Sequence, residues 1–292
     1  PGTVAPPVDQ SVATTVAAAT DFLYTGANPI QTGVTPGTID PKRTAVIRGK
    51  VLDKNNSPLS GVFLSILNHT EFGQTVSRVD GGFDLAVNGG GVLTVNYEKP
   101  GFLPSQRQVN VPWQDFVFTP DVVLIALDTN VTTVNLTSPT MTVARGSMVT
   151  DSDGTRRATI LVPTGTTAQM VMPNGTIQPI TTLNVRATEY TVGPNGPNAM
   201  PAPLPPTSAY TYAVEYSADE ALAAGAQSVT FNQPLFHYNE NFLNFPAGTI
   251  VPSGVYDRLL GQWIPSTSGR VVKILTITAG AANLDVNGNG QP

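Results

Sequence analysis

From Thr44 onward the chain runs in short alternations of apolar and polar residues, punctuated by Gly, Pro, Asn and Asp. Alternation with period two marks a half-buried strand, because successive side chains point to opposite faces of the pleat. Ala45–Leu52, Val62–Leu67, Gln74–Val79, Phe83–Val87, Val92–Tyr97, Gln106–Val111 and Val122–Leu127 read as seven strands at the spacing of a sandwich. Leu93, Val95 and Tyr97 share one face, and Phe83 and Ile66 are expected in the core. The dipeptide Asp80-Gly81 suits the positive φ angles of a tight hairpin and is expected to join the third and fourth runs.

The second half is again strand-like, most clearly at Arg157–Val162, Leu183–Thr191, Ala209–Tyr216, Ser228–Phe231 and Arg270–Ile277. Tyr210, Tyr212, Val214 and Tyr216 fall on one parity. Two short helices are predicted. One covers Asp9–Thr20, with Val8, Val12 and Val16 on one side. The other covers Ser217–Ala224, with Ser217 as cap, Glu220 closing a capping box and Gly225 ending it. Met200-Pro-Ala-Pro-Leu-Pro-Pro-Thr207 reads as a stiff polyproline connection. The organisation that follows is an extended lead over 1–41, a sandwich over 42–127, a second β-sandwich-like domain over 128–280, and a Gly/Asn-rich tail over 281–292.

Composition sharpens this all-β reading. Only 12% of residues are charged and 40% are hydrophobic, with 27 Gly and 26 Pro among the 292. So many helix breakers rule out long helices, while β-branched residues suit a pleated surface. The net charge is −5. No basic stripe is present to replace phosphate counterions, so nucleic acid is not an expected partner. No run approaches the roughly 20 apolar residues that span a bilayer. Cysteine is absent, which excludes a disulfide scaffold, a thiol nucleophile and thiolate metal sites.

Several motifs carry a resemblance. Gly49-Lys-Val51, Pro58-Leu-Ser-Gly61-Val62, Thr75-Val-Ser-Arg-Val-Asp80-Gly-Gly-Phe83 and Gly101-Phe102 occur in the order of the carboxypeptidase-regulatory-like family. That resemblance implies a transthyretin-like seven-stranded sandwich in which these residues are architectural. A wider set comprises Phe22-Leu-Tyr-Thr-Gly-Ala-Asn-Pro-Ile-Gln-Thr-Gly33, Ala86-Val-Asn-Gly-Gly-Gly91, Val111-Pro-Trp-Gln-Asp115 and Val185-Arg-Ala-Thr-Glu-Tyr-Thr-Val192. It resembles the region preceding the repeats in bacterial rearrangement-hotspot, or YD-repeat, proteins, whose animal relatives are the teneurins. In that group a transthyretin-like domain and a plug-like β-domain precede a YD shell. This chain departs from the pattern in holding no YD array, only Tyr256-Asp257-Arg258.

Catalytic chemistry finds no constellation. Only His69 and His237 are available, and no nucleophile elbow accompanies them. His237-Tyr-Asn-Glu240 is similar to the first pair of a zinc carboxypeptidase set, but no histidine follows it, and a catalytic zinc needs three protein ligands. Asp285-Val-Asn287-Gly-Asn289-Gly290 places oxygen ligands at alternate positions before a turn glycine, the first half of a calcium loop. Asp285, Asn287 and Asn289 are therefore the metal candidates, with calcium the sole candidate cofactor. Asp151-Ser-Asp153-Gly154 is a weaker cation candidate.

Three readings stay open. The first, implied by the resemblance, is a non-catalytic structural module that seals or anchors a YD-repeat shell in a large secreted or surface-exposed bacterial protein, its partners being other domains of the same polypeptide. The second is an adhesin or carbohydrate-binding module using Trp113, Trp263, Tyr210, Tyr212 or Tyr216. The third is an accessory domain of a secreted hydrolase. In the first, Met200–Thr207 and the apolar run Phe242-Leu-Asn-Phe245-Pro246 are the expected contacts.

Overall fold

A computed structural model describes residues 5–7, 9–191 and 193–292. The chain forms two compact units. The first comprises residues 1–127, 194–210 and 258–262, and the second 128–193, 211–257 and 263–292.

The first unit is a sandwich of two antiparallel-based sheets. Its strands are β1 (Thr44–Asp53), β2 (Phe63–Ile66), β3 (Gln74–Val76), β4 (Gly82–Asn88), β5 (Gly91–Glu98), β6 (Ser105–Val111), β7 (Phe116–Phe118) and β8 (Val122–Leu124). One sheet runs β3-β2-β5-β6. In the other, β4 and β7 flank β1, and β8 continues the β7 side farther along β1. β7 and β8 are both parallel to β1, so they act as one strand interrupted at Thr119-Pro120-Asp121, where proline cannot donate to the ladder. Counted so, the sandwich has seven strands. Ile47, Leu64, Ile66, Phe83, Leu85, Val95, Tyr97 and Leu124 are buried in one cluster, as expected for Phe83 and Ile66. Phe83 meets Tyr97 edge-on at 5.8 Å. Gly49 is required there, since a Cβ would stand 2.1 Å from Thr119 Oγ1 and 2.9 Å from the Phe83 ring.

Two expectations change. β3 pairs with β2, not with β4. Asp80-Gly81 therefore carries the chain from one sheet to the other, its reversal closed by Gly81 N–H donating to Arg78 O. The first predicted helix shrinks to α1 (Val16–Thr20), capped by the Thr15 hydroxyl accepting from the Ala18 N–H. Residues 9–15 are not helical, in keeping with the modest helix propensity of Thr and Val, and Val8 lies outside the described residues.

The lead beyond α1 is built into the sandwich. Leu23, Gln31 and Ile39 are buried. Gln31 Nε2 donates to Phe72 O at 2.7 Å and Ala86 O at 2.8 Å, while Oε1 accepts from the Ala86 N–H at 2.7 Å. A side-chain amide thus closes the outer edge of β4 as a strand would. The edge of β6 is covered by residues 194–210 of the same unit. Gln106 N–H donates to Pro201 O at 2.7 Å, and the Arg107 guanidinium donates to Asn198 O at 2.8 Å and Met200 O at 3.1 Å. Met200 and Ala202 are buried. Residues 258–262 add carbonyls, with Gln106 Nε2 donating to Arg258 O at 2.9 Å.

In the second unit the strands are short: β9 (Thr132–Asn135), β10 (Thr142–Arg145), β11 (Val149–Asp151), β12 (Gly154–Arg156), β13 (Ala158–Val162), β14 (Ala168–Val171), β15 (Ile177–Ile180) and β16 (Thr182–Glu189). β17 (Val214–Ala218), β18 (Ser228–Phe231), β19 (Phe236–Asn239), β20 (Ile250–Asp257), β21 (Gln262–Arg270), β22 (Lys273–Thr278) and β23 (Ala281–Asp285) complete it. Three-stranded sheets β10-β13-β19, β15-β14-β18 and β17-β16-β9 surround a core of Val134, Ala144, Ile160, Val162, Met170, Leu183 and Val185. β20-β21 and β22-β23 stand as separate two-stranded pairs. The predicted Ala209–Tyr216 strand starts only at Val214, and the Gly/Asn-rich stretch from 281 begins as β23.

The second helix is α2 (Asp219–Ala224). Ser217 does not cap it, because Ser217 is held in β17 opposite Arg186. Ala218 takes the cap position without a side-chain bond. Glu220 turns instead to Asn184, accepting from its N–H at 2.9 Å and its Nδ2 at 2.7 Å. Gly225 ends the helix in the left-handed region, as expected.

Candidate functional site

The residues singled out for chemistry are dispersed. His237 lies on β19, 6.1 Å from Tyr216, while Glu240 accepts from the Arg157 N–H at 2.7 Å. His69 pairs with Glu71 at 2.8 Å on the surface of the first unit. Among the described residues no three His, Asp or Glu side chains gather into a metal-binding group.

Asp285 sits at the end of β23. Its Oδ1 accepts from the Gly288 N–H at 2.7 Å, and its Oδ2 from the Gly290 N–H at 2.8 Å. Burial pushes its carboxyl up, but the N–H groups of Gly290, Asn287, Gly288 and Asn289 outweigh that and hold it below its ordinary value. Asn287 and Asn289 each accept from the N–H two residues on. The motif thus folds into a series of short turns. Three side chains with a single carboxylate fall short of the six to eight oxygens of a calcium shell, so these residues do not by themselves fit the ion.

Asp151 offers no cation site, because a guanidinium already fills it. Arg156, 1% exposed, donates from Nη1 and Nη2 to the two Asp151 oxygens at 2.7 and 2.8 Å. Hydrogen bonds from Arg156 hold the Asp151 carboxyl far below its usual range. Arg156 Nε and Nη2 also reach Glu189 Oε1 at 2.8 and 2.6 Å. The Phe242 ring lies under the guanidinium at 4.5 Å. Tyr212 meets Phe242 edge-on at 6.2 Å. Tyr212 thus packs on this cluster and Tyr216 packs on His237 and the core of the unit, both of them half-buried. Trp263 packs at 5.3 Å on Tyr256, and among the candidate aromatics Trp113 alone is strongly exposed.

What the second unit does present is a sheet face. Along β13, Ala158, Ile160 and Val162 are buried, the latter two in the core, so Thr159 and Leu161 face outward. The register places Val143 opposite Leu161, with Phe236 opposite Leu161 and Tyr238 opposite Thr159 on the other side. Met141 precedes β10 on the same parity. Met141 is 53% exposed, Val143 37%, Phe236 52% and Tyr238 45%. The sheet is thus apolar on both faces, and Arg145 is the one formal charge on its outer strand positions. Ile250, Val255, Ile264, Ile274 and Ile277 on β20–β22 are exposed as well. Periodicity could have signalled this face had β10 and β19 been recognised, since Met141, Val143, Phe236 and Tyr238 all alternate.

Comparison with known proteins bears on the first unit. Residues 39–124 match the model of the Teneurin TTR-like domain. Teneurin-1 of Gallus gallus is 36% identical over 109 residues, which is 37% of this chain and 4% of that protein. Teneurin-3 of Mus musculus is 42% identical over 87 residues, 29% of this chain and 3% of that protein. Teneurin-m of Drosophila melanogaster is 42% identical over 87 residues, 30% and 3%. The chain spans only a few per cent of the length of these relatives. A catechol 1,2-dioxygenase from Pseudomonas arvilla C-1 is 14% identical with a TM-score of 0.27, over 37% of this chain and 60% of that one, a likeness too loose to inform on function. The first sandwich is therefore similar to the transthyretin-like domain of teneurins.

Proposed function

We propose that, with a teneurin-type transthyretin-like sandwich as its first unit, this chain is a non-catalytic structural module of a large exported protein, and that its second unit docks against a YD-repeat shell of the same polypeptide. The open face of β10-β13-β19 carries this reading. An antiparallel sheet normally keeps one face apolar and turns a polar one to water. Here Met141, Val143, Leu161, Phe236 and Tyr238 line the outer face, and exposed apolar patches of this kind mark interaction surfaces. A flat, nearly neutral sheet face suits another sheet packed about 10 Å away. The paired strands β20-β21 and β22-β23 support the same view, because a two-stranded pair is at best marginally stable alone in water. Of Met200–Thr207, expected as a contact, Met200–Ala202 are buried in the first unit, while most of the segment beyond them is exposed and stays open to that role.

The test uses the parent protein. A double substitution Phe236→Glu and Tyr238→Glu leaves the inner core untouched, since both side chains face outward. The expected result is a shell that opens under limited proteolysis and in electron micrographs. A shell as resistant as that of the wild type removes the docking role.

A further inference from the structure

The Arg156 cluster contains polar atoms its protein neighbours do not satisfy. Glu189 is buried, and its Oε1 takes all three of its hydrogen bonds, two from Arg156 and one from the Thr191 hydroxyl at 2.7 Å. Its Oε2 is enclosed and has no partner, and the same holds for the hydroxyls of Tyr212 and Tyr216. Glu189 pairs with Val214 and Ala187 with Tyr216, so Glu189 and Tyr216 share one face of the β16–β17 pair, and Tyr212 precedes β17 on the same parity. Burial raises the Tyr212 phenol, and the Glu189 charge raises it further, with Tyr216 a third contributor. Phe242 links Tyr212 and Glu189, since Tyr212 meets its ring at 6.2 Å and the Arg156 guanidinium that holds Glu189 lies 4.5 Å from the same ring.

We infer that the second unit binds an internal water molecule that bridges Glu189 Oε2 and the Tyr212 hydroxyl, with Tyr216 as its third neighbour. The chemistry selects water over other small ligands. Glu189 Oε2 only accepts, so the guest must donate to it, which excludes an anion. A metal cation would have to share the carboxylate with the Arg156 guanidinium, 2.6 Å from Oε1, and would be repelled by it. Water donates to the carboxylate and accepts from the phenol, and buried waters typically make about three such bonds to groups otherwise unpaired. Leaving a buried carboxylate oxygen and a phenol bare is a desolvation cost that native proteins rarely carry.

The bridge is tested on the full chain by a high-resolution crystal structure together with water-oxygen magnetic relaxation dispersion. Density for a water within hydrogen-bond distance of both Glu189 Oε2 and Tyr212 Oη is expected. Tyr212→Phe, checked for an unchanged near-ultraviolet circular dichroism spectrum, is expected to lose one long-lived water relative to the wild type. Two outcomes overturn the inference: a direct Tyr212–Glu189 hydrogen bond in the density, or no difference in relaxation between wild type and variant. If Tyr212→Phe fails to fold, the wild-type density alone decides.

Discussion

Arg156 shows how much one residue carries in a chain with few charges. It holds Asp151 and Glu189 together and lies on Phe242, with almost no exposure. Removing one partner of such a buried group leaves an uncompensated charge, at a cost of about 3–5 kcal/mol. Arg156→Ala is therefore expected to lower stability in denaturant by that order, and a loss under about 1 kcal/mol would show that water reaches the cluster freely. Asp151 adds a pH dependence. Its carboxyl is held far below the usual range by Arg156, so the stability it contributes is fully present above the unfolded value of about 4 and is lost as pH falls toward the lower folded one. Asp151→Asn should accordingly be less stable than wild type at neutral pH, with the gap narrowing in the acid limb. A gap unchanged from pH 7 into that limb would place the source of the shift elsewhere.

At the level of elements, the sandwich edges are closed by pieces that are not strands. Gln31 seals β4 through three hydrogen bonds from one amide. Gln31→Leu keeps the bulk and leaves Phe72 O and both Ala86 backbone groups unpaired, each a loss of about 1–3 kcal/mol where burial is complete. Hydrogen exchange at the Ala86 amide should accelerate sharply in this variant; unchanged protection would mean that another group has taken over the edge. Inside the sandwich, Phe83→Ala is expected to cost about 3–5 kcal/mol, whereas His69→Ala, at a half-exposed surface pair, should barely move the melting temperature. Glycines separate in the same way. Gly49→Ala drives a Cβ into Thr119 and Phe83, while Gly91→Ala meets nothing within 4 Å. Similar melting temperatures for those two variants would contradict the close approach of β1 to its neighbours.

For the whole molecule, the first unit is completed by residues far along the chain. Residues 194–210 supply the carbonyls that meet Gln106 and Arg107, and 258–262 supply another. A fragment ending at Leu127 keeps every strand of the transthyretin-like sandwich yet exposes the β6 edge, and open edges template unwanted pairing. That fragment is expected to be less protease-resistant than the same unit within the full chain and to self-associate in size-exclusion chromatography. A monomeric fragment of equal resistance would make the covering segments dispensable. The outer face of β10-β13-β19 belongs to the same scale, because it has meaning only if something beyond this chain covers it.

Period-two alternation by itself determined that the chain is all-β, where most strands of the first sandwich run, and which side chains, Phe83 and Ile66 among them, turn inward. That information is local: a strand's two faces are written in adjacent residues. Gly225 was legible for the same reason, since a helix end depends on its own backbone. Tertiary structure alone decided the pairings. It set β3 beside β2, making Asp80-Gly81 a crossing between sheets, because a turn dipeptide encodes a reversal and not the sheet to which the chain returns. It drew Ser217 into β17 and Glu220 to Asn184, where tertiary hydrogen bonds outweigh a capping box. It recruited Gln31 and the Pro-rich segment to distant edges, and joined the Asp151–Arg156 hairpin, Glu189 and Tyr212 from three separate stretches. Contacts between residues remote in sequence leave no period to read, so the buried cluster and the open sheet face emerge only when the chain is folded.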